Sequence, residues 1–122
     1  DFLSSVELQN QRMLSFLSLV IYMGASRAFN SMDDVVAAHF LNLYKLVDPE
    51  NPEHSYLFAC LYAREHNPAK AINSLQDAVK QRTSDIRRMV SDSNFVALRQ
   101  QQDFKALIKK ASEAPHKIDM EQ

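Results

Sequence analysis

The sequence predicts an all-α protein, and three observations predict it. The 122 residues contain one glycine and four prolines, whereas β-hairpins, phosphate loops and dinucleotide-binding turns use glycine to reach positive φ. Apolar residues recur at helical rather than alternating spacing. Two Asn-Pro pairs, Asn51-Pro52 and Asn67-Pro68, each place a side-chain acceptor at an N-cap and a proline at the first helical position. With 46% apolar and 24% charged residues, the chain is long enough for one hydrophobic core and too short for two.

The first element is marked by the uncharged stretch from Met13 to Ser26, bounded by Arg12 and Arg27. It is shorter than the about 20 residues that cross a bilayer, and the polar dozen before it is unlike the start of a secretory signal. A buried helix is expected instead. Leu14, Leu17, Ile21, Ala25 and Ala28 follow one helical face, and Phe16, Leu19, Val20 and Met23 widen the stripe, so cover on more than one side is predicted.

A second helix is predicted over 34–47, carrying Val35, Ala37, Ala38, Leu41 and Leu46. Ser31, three residues before Asp34, serves as an acidic variant of the capping box, and Asp48-Pro49 ends the helix. Asn51 starts a third helix running from Pro52 to about Glu65. Asn67 starts a fourth from Pro68 to about Gln81, with Ala71, Ile72, Leu75, Ala78 and Val79 on one face. The short links between consecutive helices predict two αα-hairpins.

Sliding the chain by 34 residues pairs Tyr22 with Tyr56, Ala25 with Ala59, Ala37 with Ala71 and Leu41 with Leu75. These positions are similar to those of the tetratricopeptide repeat, where small and bulky core residues alternate. In the second copy Phe58-Ala59, Tyr62, Ala71, Leu75 and Ala78 stand at the family's positions. In the looser first copy Gly24-Ala25, Ala28, Ala37, Leu41, Tyr44 and Pro49 do so. Ser55, Thr83 and the large Tyr44 depart from the pattern. The resemblance implies a right-handed stack of antiparallel helical hairpins, a tetratricopeptide-like α-solenoid.

A stack of two hairpins leaves an end bare, and repeat arrays close such ends with an atypical cap. Ile86, Met89, Val90, Phe95, Leu98, Phe104, Leu107, Ile108 and Ala111 mark residues 84–111 as that helical C-terminal cap, resembling the segment that closes many bacterial tetratricopeptide arrays. The expected organisation is one domain over 1–114, with a divergent repeat at about 14–50, a clearer repeat over 51–83 and the cap at 84–111. Residues 115–122 form a tail with no apolar period.

Chemistry-bearing residues are scattered. His39, His54, His66 and His116 lack the spacing or neighbours of a zinc or hydrolytic site, so no catalytic, cofactor-binding or metal-ligating residue is expected. His54 is expected as a solvated first-turn residue, His66 in an inter-helix turn, and Cys60 as an inert packed thiol that leaves the redox compartment open. Asp33-Asp34 fit the first turn of a helix, where negative charge offsets the dipole.

The net charge of −1 is unevenly spread, with acids in excess over residues 1–50 and bases in excess over 80–110. The basic side chains Lys105, Lys109 and Lys110 belong to the last helix, and no aromatic residue outside the predicted core interleaves the bases, so nucleic-acid binding is not expected. In the family that the sequence resembles, the first helix of each repeat lines a groove for peptides or partner proteins. That implies a non-catalytic protein- or peptide-binding or scaffolding module, with a groove at Tyr22, Ser26, Tyr56, Cys60 and Arg64 and no cofactor. The alternatives are a helical regulatory or accessory portion of a larger bacterial enzyme, and a self-assembly module in which the apolar first helix pairs across a homodimer.

Overall fold

The computed structural model describes residues 1–81 and 85–113. The expectations for Thr83, Ser84, His116 and the tail lie outside the described residues. Among those described there are seven helices and no strand. They are α1 (Phe2–Asn30), α2 (Asp34–Val47), α3 (Pro52–Arg64), α4 (Pro68–Lys80), α5 (Ile86–Ser91), a 3₁₀ helix (Ser93–Leu98) and α6 (Gln102–Glu113). Helix α1 packs on α2 and α3 packs on α4, while α2 touches α3. The 3₁₀ helix rests on α3, and α6 meets α4 and α5.

The two helix pairs are joined by the same turn, 34 residues apart. Met32 and His66 both take φ 62°, the left-handed conformation that commonly ends a helix. The amides of Met32 and His66 donate to the carbonyls of Phe29 and Ala63, and those of Asp33 and Asn67 donate to Ala28 and Tyr62 at 2.9 Å. Asp33 and Asn67 then cap the next helices, accepting from the amides of Val36 and Lys70 at 3.3 Å. The expectation that Ser31 caps α2 is thereby corrected. Ser31 closes α1, because the left-handed residue must come between the end of one helix and the cap of the next.

Small residues allow the close crossings. Ala25, Ala37, Ala59 and Ala71 are all buried, with Leu41 and Leu75 filling equivalent places beside them. Gly24 serves the same purpose more stringently, since a Cβ there would stand 2.6 Å from the Phe40 ring. Asn51 and Asn67 cap α3 and α4, with Pro52 and Pro68 inside the first turn. The larger core joins α3 and α4 to Met89, Phe95, Leu98, Phe104 and Leu107. Phe95 is its keystone, edge-on to Tyr56 at 5.6 Å and tilted against Phe104 at 6.1 Å.

Two expectations fail for reasons of packing. His54 is 2% exposed, not solvated. Its Nε2–H donates to the Pro49 carbonyl at 2.9 Å, and Gln81 Nε2 donates to the same oxygen. The ring meets Tyr44 edge-on at 6.0 Å, so His54 locks the α2–α3 connection. The apolar first helix is the second case. Ala25 and Ala28 are buried, but Met13, Leu14, Phe16, Leu17, Leu19 and Val20 are exposed, because the 14-residue α2 reaches only the C-terminal part of the 29-residue α1. Among the described residues no helix is long and apolar enough to cross a membrane.

Candidate functional cleft

Helices α1 and α3 and the segment after α4 enclose a cleft of about 490 Å³. Tyr22, Ser26, Phe29 and Asn30 form one wall from α1, Leu57 and Cys60 contribute from α3, and Arg88, Asp92 and Asn94 close the far side. The spacing within α1 explains its wall, because residues four and seven apart return to one helical face. Tyr22 is half-buried and leans edge-on against Tyr44 at 6.0 Å. The hydroxyls and carboxamides of Ser26, Asn30 and Asn94 both donate and accept, which suits them to a peptide backbone.

Asp92 organises the far wall. Its Oδ2 accepts from the Tyr56 hydroxyl at 2.9 Å and lies 3.6 Å from the Cys60 sulfur. Its Oδ1 accepts from the backbone amide and the Nδ2 of Asn94, both at 2.9 Å, and its carbonyl accepts from Arg99. The carboxylate thus caps the 3₁₀ helix and ties it to α3. Beside it, Arg88 makes a two-pronged ion pair with Glu53 at 2.6 and 2.9 Å, and its guanidinium lies 3.8 Å over the Tyr56 ring. The hydrogen bond to Glu53 raises the Arg88 pKa further, so this charge is permanent and already matched.

Electrostatics disfavour nucleophilic chemistry at the thiol. Burial first, then the Asp92 charge, push the Cys60 pKa well above its ordinary value, where a nucleophile requires the opposite shift. Burial and the Asp92 hydrogen bond likewise push the Tyr56 hydroxyl up. Among the described residues no group of three or more His, Cys, Asp or Glu side chains could hold a metal ion.

The structure brings Tyr22, Ser26 and Cys60 together on the cleft and places the other two expected groove residues elsewhere. Tyr56 is 1% exposed, because its ring is covered by Arg88 and Phe95 and its hydroxyl is taken by Asp92. Arg64 lies at the α1–α2 turn, where Nη1 donates to the Phe29 carbonyl at 2.9 Å, Nη2 pairs with Asp34 at 2.8 Å and the guanidinium stacks 3.7 Å over the Phe29 ring. Sequence reasoning missed Asn30, Arg88, Asp92 and Asn94. The last three reach the cleft only through the packing of the cap, over separations such as the 36 residues between Tyr56 and Asp92. Asp92 did carry a local signal, as an acid two residues before an asparagine at the start of a short helix.

No protein-family model, curated protein or solved structure gives a significant match to this chain.

Proposed function

We propose that the chain is a tetratricopeptide-like module that binds an extended peptide or a helical segment of a partner protein in the α1–α3 cleft, without bond-making chemistry. The observation that carries this reading is the cleft's construction. Its walls come from the first helix of each of two pairs in 34-residue register, and its end is closed by the capping segment. The recurrence of the left-handed turn at Met32 and His66 and of buried alanines at 25, 59, 37 and 71 supports a repeat as the underlying unit. Tyr22 offers the partner a rigid apolar body with a polar end, and Ser26, Asn30 and Asn94 offer hydrogen bonds. Cys60 lines the α3 wall, Tyr56 backs it, and Arg64 holds the α1–α2 turn apart from the cleft. The buried thiol with its raised pKa supports a binding rather than a catalytic role.

The test is selection of peptides from a random phage-displayed library on the intact chain, followed by calorimetric titration of a selected peptide. Tyr22→Ala should weaken binding by roughly 1 to 4 kcal/mol per folded molecule, beyond the stability lost with its edge contact to Tyr44. Tyr56→Ala should instead lower the melting temperature. Unchanged affinity per folded Tyr22→Ala molecule would remove the cleft from consideration.

A further inference from the structure

The exposed part of α1 carries a second pattern, distinct from the face that meets α2. Phe2, Val6, Met13, Phe16, Val20 and Met23 follow spacings of four, seven, three, four and three residues, and all six are exposed. Gln9 completes the series. This is a heptad, with Val6, Met13 and Val20 at a and Phe2, Gln9, Phe16 and Met23 at d. A period of 3.5 is the signature of a seam that faces another helix over its whole length, whereas packing onto a globular core follows 3.6. The buried Ala25 and Ala28, the first packed with Leu41, Tyr44 and Leu61, lie on a different side of the helix.

We infer that α1 forms a parallel two-stranded coiled coil with a second copy of this chain. Three observations select that occupant. The first is area. The six apolar seam side chains are 37 to 79% exposed from Phe2 to Met23, a continuous stripe of at least the roughly 300 to 600 Å² that on a monomer marks an interaction site. The second is charge. From residue 2 to 26 the only charged side chains are Glu7 and Arg12, so a copy meets the seam without repulsion. The third is the polar position. In a parallel pair Gln9 faces Gln9 of the other copy and the two carboxamides hydrogen-bond across the axis, the arrangement by which one buried polar residue sets register and strand number. An antiparallel pair would set Gln9 against Met13 and bring the two Arg12 side chains together at the centre.

The experiment measures mass by size-exclusion chromatography with light scattering on the full chain at tens of micromolar. The expected result is twice the 14.0 kDa chain mass. Met13→Glu with Phe16→Glu should raise the dimer dissociation constant by at least about 100-fold, because each charge would be buried at the seam. Near-ultraviolet dichroism should stay unchanged, since neither side chain belongs to the packed core. Ser4→Glu, off the seam, should remain dimeric. Gln9→Cys should cross-link the two copies under mild oxidation, since facing d positions bring Cα atoms within disulfide range, while buried Cys60 stays inert. A monomer at these concentrations overturns the inference, as does a dimer insensitive to the double glutamate variant, and a dimer that Gln9→Cys fails to cross-link overturns the parallel register.

Discussion

The α1–α2 and α3–α4 pairs share a turn, a cap position and a set of buried alanines, yet they end in different environments. Leu75 belongs to a core that continues through Met89, Phe95 and Phe104. Leu41, its equivalent, belongs to a smaller cluster with Ala25, Tyr44 and Leu61. Among the described residues, all exposed large hydrophobics except Val90 and Val96 lie between Phe2 and Leu46. The contrast teaches that a helical pair acquires its stability from what covers its open face. The second pair is covered on both sides, by α2 and by the cap. The first is covered on one side, and its long helix runs past its partner.

The largest effect expected from this asymmetry is that of removing the cover. Truncation after Gln81 should abolish cooperative unfolding in a denaturant titration monitored by circular dichroism, because burial of Phe95, Leu98, Phe104 and Leu107 contributes about 1.5 to 3 kcal/mol each before ordering entropy is subtracted, against a total domain stability of about 5 to 15 kcal/mol. A soluble fragment with a sharp transition would break the comparison.

Equivalent leucines sharpen it. Leu75→Ala and Leu41→Ala should each cost about 2 to 5 kcal/mol, with Leu75→Ala at the upper end because its site is enclosed on all sides and collapses less. Chemical denaturation midpoints measure both, and equal losses would mean that the two cores are equally tight.

The shared turn supplies a smaller and opposite effect. Glycine at Met32 or His66 should relieve a left-handed conformation that disfavours other residues by about 1 kcal/mol. His66→Gly should therefore raise the thermal midpoint. Met32→Gly should gain less, since the Met32 sulfur lies 3.1 Å from Arg64 Nη1 and that contact would be lost. A destabilised His66→Gly would contradict the turn geometry.

The gentlest probe is alkaline pH. Burial, followed by the charges of Asp48 and Glu53, pushes the Tyr44 pKa up to about 12, and Tyr56 and Cys60 are also raised. The folded chain therefore retains protons that the unfolded chain releases, so their contribution to stability is complete below the unfolded pKa values and declines as pH rises past them. Melting temperature should begin to fall above about pH 9, where an unfolded thiol ionises. Cys60→Ala should reduce the early part of that decline, and a melting temperature rising through pH 9 to 11 would reverse the assignment.

The sequence by itself determined what is local. One glycine, helical apolar spacing and two Asn-Pro pairs were sufficient for an all-α chain and for the starts of α3 and α4, because caps and proline act within a single turn of backbone. The 34-residue offset was also legible, since each buried alanine answers to a steric requirement at its own crossing. Only the tertiary structure decided the rest. His54 and Tyr56 are buried because distant segments, the Pro49 carbonyl and the capping residues Arg88, Asp92 and Phe95, close over them. The apolar stripe of α1 is equally apolar whether or not anything covers it, and the reach of α2 leaves most of it exposed. Asp92 joins the cleft for the same reason: its partners are brought by packing of the cap onto α3, and no spacing along the chain records a contact between elements that meet only after folding.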